Sequence, residues 1–124
     1  MQKIVNCELS IKRVIGDKDE TSLIKGKGYF KEDNGETVVF FSNEEAKYKY
    51  VYNNGLLEVF CNDSKYTFKE NVKDFGEIKS GEYIFKITTL ASKIEVMNNC
   101  IVLDYSLYQQ DMLIGTYYSR LSFN

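Results

Sequence analysis

Apolar and polar positions alternate along most of this chain, and the alternation has the period of a β-strand. Val5, Cys7, Leu9 and Ile11 share one face of the first segment, and Asn6, Glu8, Ser10 and Lys12 share the other. Gly16-Asp17-Lys18-Asp19 reads as a turn. Residues 21–31 follow, with Ile24, Gly26, Gly28 and Phe30 on one face; glycines there predict a bend or bulge. Asn34-Gly35 and Asn54-Gly55, each set between strand formers, are hairpin signals. Between them lie a continuous buried-type strand (residues 37–42) and a segment in which Tyr48, Tyr50 and Tyr52 alternate with Lys47, Lys49 and Val51.

Residues 56–61 and 66–68 continue the pattern around an Asn62-Asp63-Ser64 turn. Residues 71–80 are the least regular stretch and read as a loop or frayed strand. Gly81 opens a strand with Tyr83, Phe85 and Ile87 on one face. Residues 91–97 fit either its continuation or a short helical turn. Ile101, Leu103, Tyr105 and Leu107 then alternate with Asp104 and Ser106, and after Gln109-Gln110-Asp111 a last strand covers residues 113–123. Eight to ten strands at this spacing, joined by short hairpins, predict an all-β domain over residues 1–124. The expected form is a single antiparallel up-and-down β-barrel, its first and last strands adjacent so that no edge is left open. The chain has no proline to interrupt a strand.

Composition changes this picture mainly by exclusion. The formal net charge of −2 is too weak to draw nucleic acid or anionic lipid by field alone. The start, Met1-Gln2-Lys3-Ile4, leads into a strand without the apolar stretch of a signal peptide. The longest aliphatic and aromatic run, residues 38–41, is far short of a membrane-spanning helix. A cytoplasmic protein with no membrane partner is the expectation. Cys7, Cys61 and Cys100 are odd in number, widely spaced and set among strand formers, which predicts buried structural thiols. The chain has no histidine, so neither histidine-based nucleophilic catalysis nor a histidine metal site is open to it.

Gly81-Glu82, then Phe85, Ile87, Thr89 and Ile94, and later Leu103-Asp104-Tyr105-Ser106-Leu107 resemble the second half of the YwiB-like family, a bacterial family of unknown function. Phe40-Phe41 followed by Glu44-Glu45 is similar to that family's aromatic strand ending in acidic residues. The resemblance implies a calycin-like (lipocalin-like) barrel, of the class that often holds a small apolar ligand, and it implies no activity.

Candidate chemistry is sparse. Lys47 to Tyr52 puts bases and aromatics on opposite faces of one strand. Single-strand-binding surfaces need them on the same face, so no nucleic-acid partner is expected. The acidic turns at Asp17, Asp19 and Glu20 and at Glu32, Asp33 and Glu36 lack the spacing of a calcium loop. Gly26-Lys27-Gly28 is too short to cradle phosphate and reads as a bend. Asp104 points away from the apolar face and shows no partner carboxylate, so no catalytic residue, metal or cofactor is assigned.

Tyr118 and Arg120 share a face of the last strand. If that face turned inward, they would offer a hydroxyl and a planar fork to a ligand carboxylate. The opposite face, with Tyr117, Leu121 and Phe123, is drier, which favours Arg120 outside. Two functions follow. One is a non-enzymatic carrier or sensor holding a small apolar or fatty-acid-like ligand in the barrel. The other is a structural or interaction module with a filled interior. The interior volume discriminates them.

Overall fold

The alternation builds ten strands. In the computed structural model, which describes residues 2–124, these are β1 (Gln2–Ile15), β2 (Lys18–Asp33), β3 (Glu36–Ser42), β4 (Lys47–Asn53) and β5 (Leu56–Cys61), followed by β6 (Ser64–Lys69), β7 (Lys73–Ser80), β8 (Tyr83–Val96), β9 (Cys100–Gln109) and β10 (Met112–Phe123). Each strand pairs antiparallel with the next, and β1 pairs with β10 from Cys7 opposite Phe123 to Val14 opposite Thr116, closing the barrel. The expected up-and-down barrel with adjacent terminal strands is the one observed.

Both Asn-Gly pairs make their hairpins. Asn34 and Asn54 have φ of 52°, and Gly35 and Gly55 have φ of 80°. Positive φ at both central positions matches the turn twist to the strand twist, and Asn-Gly reaches it at low cost. Two readings left open are decided in favour of strand. Of the loop or frayed strand read over residues 71–80, the strand is the one formed: β7 pairs with β8 from Lys73 to Ser80. Residues 91–96 continue β8 as strand, with a register shift between Ala91 and Lys93 that absorbs the irregular pattern.

Gly26 and Gly28 are required by a close approach of backbone. Their inward faces are crossed by the backbone of β3, and a Cβ on Gly28 would collide with the carbonyl oxygen of Phe40. The ladder with β1 runs through both glycines without a shift, so no bulge forms there.

One end of the barrel is packed solid. Val5, Cys7 and Leu9 meet Val39, Leu57, Ile101, Leu121 and Phe123 there, and Phe30 stacks on Phe123 at 5.3 Å between ring centroids. The buried hydroxyls are satisfied: Ser119 donates to the Leu103 carbonyl at 2.7 Å, and Thr89 donates to the Thr67 carbonyl. Among the described residues no helix is long and apolar enough to cross a membrane.

The two kinds of glycine should separate in urea denaturation. Gly28→Ala is expected to cost about 2–4 kcal/mol, since β3 must move, and Gly35→Ala about 1 kcal/mol from its positive φ alone. Equal costs would contradict the close approach of β2 and β3.

Candidate functional site: a tyrosine-lined cavity

At the other end, where the β1–β2, β3–β4, β5–β6 and β9–β10 turns lie, the interior is not filled. A cavity of about 200 Å³ remains. Leu9, Val59, Phe68 and Leu103 lie deepest in it, and Tyr48, Tyr50, Tyr66, Tyr105 and Tyr117 line its walls, with Ile11, Cys61 and Leu107 nearer the turns. Among the described residues no Lys, Arg, Asp or Glu lines it. A roomier hollow of about 420 Å³, beside Asn6, Lys25, Lys27 and Asn124, gathers no aromatic ring.

The tyrosines come from four strands. Tyr48 and Tyr50 belong to β4, Tyr66 to β6, Tyr105 to β9 and Tyr117 to β10, each in the inward phase of its strand. Tyr105 and Tyr117 sit directly opposite one another and stack at 4.9 Å. Tyr105 also meets Phe68 at 4.8 Å in a tilted arrangement, and Tyr48 stacks on Phe41 at 4.9 Å. Pairs at these separations hold ring orientation beyond what area burial gives.

Burial sets the protonation state of this cluster. Removal from water disfavours the phenolate, so Tyr48 is pushed up to about 12, helped by the neighbouring Cys61 thiol and a hydrogen bond with it. Burial likewise raises Tyr50, Tyr66 and Tyr105, with neighbouring tyrosines and Cys61 adding to the effect. The walls therefore present neutral hydroxyls, each able to donate and to accept.

The sequence-level candidates fall elsewhere. Buried Ser119, Leu121 and Phe123 commit β10 to one phase, and a period of two then turns Tyr118 and Arg120 outward. Tyr118 is 48% exposed and Arg120 is exposed too, so Arg120 lies outside, as the drier opposite face favours, and the conditional carboxylate anchor does not form inside the barrel. Asp104 also faces outward, between Tyr118 of β10 and Lys93 of β8. The acidic turns are exposed, and one of them holds the Lys12–Asp19 ion pair at 3.9 Å.

All three cysteines are free. Cys7 is fully buried, and burial pushes its thiol up to about 11, which suits a structural role. Cys61 and Cys100 depart from the expectation: both are only half-buried, and Cys61 faces the cavity. Among the described residues no three Cys, Asp or Glu side chains gather as a metal site.

The tyrosine cluster is absent from the sequence reading because its members come from strands far apart in the chain. Only the inward phase of each could be read locally.

A pH dependence follows. The folded chain keeps the protons of Tyr48, Tyr50, Tyr66 and Tyr105 at a pH where the unfolded chain, with tyrosine near 10, releases them. Their contribution to stability is whole below about pH 10 and is lost as pH rises further, for Tyr48 through about 12. Tyrosinate absorbance should show a late step that coincides with loss of the β-sheet circular dichroism signal. Titration of all ten tyrosines together near pH 10, with the fold intact, would contradict the buried arrangement.

No family model and no curated protein matches the chain in sequence. Among solved structures, the crystal structure of the ywiB protein from Bacillus subtilis superposes with a TM-score of 0.85, covering 99% of this chain and 92% of that one, at 9% identity. At that identity the likeness is one of fold: the resemblance read from Gly81 to Leu107 holds for the barrel architecture.

Proposed function

We propose that the protein is a non-catalytic carrier or sensor for a small, neutral, ring-sized molecule held in the tyrosine-lined cavity. The observation that carries this reading is an unfilled volume of about 200 Å³ with apolar depths and a wall of neutral hydroxyls. An apolar cavity of about 150 Å³ accepts benzene, whereas drug-sized ligands occupy roughly 300–1,000 Å³. This volume therefore suits one ring bearing a hydroxyl, amine or carbonyl, and a long fatty-acyl chain is disfavoured. An anionic head is disfavoured as well, because no cation lines the walls. The use of the barrel as a calycin-like container belongs to the same proposal, and its three free thiols suit the reducing cytoplasm.

Phenol and indole are suitable probes, and the test has two readouts. At a hundredfold excess over Kd a bound probe adds about 2.7 kcal/mol to stability, a melting shift of several degrees. It should also shield Cys61 from a thiol reagent while leaving Cys100 unchanged. Ile11→Phe, which places a ring in the cavity, should abolish both effects with the fold intact. If a panel of neutral one-ring molecules neither raises the melting temperature nor protects Cys61, the reading is wrong.

A further inference from the structure

Strict alternation separates lysines from tyrosines within β4, but the lateral register of the sheet brings rings and lysines together again on the outer face. Tyr29 of β2 lies opposite Phe40 of β3, Phe40 opposite Lys49 of β4, Lys49 opposite Phe60 of β5, and Phe60 opposite Lys65 of β6. This is one continuous row across five strands, built from residues that no local pattern connects. Tyr29 and Phe40 stack at 5.4 Å, and the Lys65 ammonium sits 5.6 Å above the Phe60 ring. The three rings are half-buried and the lysines exposed.

More lysines border the row. Lys27 and Lys47 flank Ser42 on one side of it, and Lys31 lies opposite Val38 on the other. The row ends against Glu77 of β7, opposite Lys65, and the other carboxylates are few. Glu58 is tied to Lys65 at 2.8 Å, and Asp33 and Glu36 lie at the far hairpin. Glu44 and Glu45 lie beyond the opposite end, in the β3–β4 turn. The face is locally positive although the chain carries −2 overall. Screening over roughly 8 Å at physiological salt makes the local charge the one a bound polyanion meets.

We propose that the outer face of β2–β6 binds single-stranded nucleic acid without sequence preference. Such surfaces combine cations that track the phosphates with rings on which successive bases stack, and both are present here in one row. Neighbouring strands lie about 4.8 Å apart, so Phe40 and Phe60, two strands apart, are spaced about 10 Å, a distance that splayed bases of one strand can bridge. An acidic polypeptide would satisfy the lysines and leave the ring row without a role. The site is on the opposite side of the barrel wall from the cavity and does not depend on it.

Fluorescence anisotropy with labelled decathymidylate and decauridylate tests this. Binding is expected at low salt and should weaken steeply toward physiological salt. Lys49→Glu should weaken it about tenfold or more. Phe60→Leu should weaken it about tenfold with an unchanged salt slope. Lys86→Glu, on β8 outside this face, should leave it unaffected, and melting curves establish that each variant is folded. Absence of binding at low salt, or equal loss in Lys86→Glu, overturns the proposal. So does displacement by polyglutamate as effective as that by unlabelled decathymidylate, which would make the face a site for acidic polypeptides.

Discussion

The pairing of β1 with β10 gives those two strands their second neighbour and closes the sheet. Although the β6–β7 ladder is short, with only Lys65 opposite Glu77 and Tyr66 opposite Gly76, backbone groups that would otherwise offer a template for aggregation are paired around most of the ring. The chain ends are held into it as well, because Asn6 and Asn124 exchange two backbone hydrogen bonds, at 2.8 and 3.1 Å. Closure also leaves each side chain only two environments, inside or outside. A slip of one residue in any ladder would exchange the faces of a whole strand. Exposing Leu121 and Phe123 while burying Arg120 would forfeit about 1.5–3 kcal/mol for each large apolar side chain, before the cost of the charge. The buried residues thus hold the register, and the register places everything else.

The interior has two halves with different composition. The packed end uses mainly aliphatic side chains and phenylalanines, with the Cys7 thiol among them. The open end uses tyrosines, whose rings bury area while their hydroxyls require partners or water. Desolvation holds those hydroxyls neutral, which fits a site that orients a small polar group and supplies neither a base nor a fixed charge. The same desolvation makes the tyrosines a liability at alkaline pH. They are a natural choice where a partly wet volume must be lined, and a poor one where it must be filled.

Much of the architecture was legible in the sequence because it is written locally. The inward phase of β1 follows from Val5, Cys7, Leu9 and Ile11, and that of β10 from Leu121 and Phe123. Both Asn-Gly turns sit where their conformation is required. Residues 71–80 stayed open between loop and strand because Gly76 has no side chain to mark the inner phase, while the exposed Phe75 mimics it. The site was less legible. Tyr118 and Arg120 attracted notice as a local pair, yet the cavity is assembled from β1, β4, β5, β6, β9 and β10. Which positions face one another across the barrel depends on the registers of several ladders at once, and no stretch of sequence records that.

Strand β4 belongs to both surfaces. Tyr48 and Tyr50 wall the cavity, and Lys47 and Lys49 stand on the outer face. A pleated strand can meet both demands without compromise, because adjacent residues never compete for one side. Communication between the two surfaces is another matter. A ligand shifts an equilibrium only as far as it binds two states differently, and a closed ladder has no nearby state to offer: any slide of β4 would have to carry β3 and β5 with it and reverse both faces. Occupancy of the cavity and occupancy of the outer row should then be additive. The barrel wall that brings the two surfaces within one side chain of each other is also what insulates them.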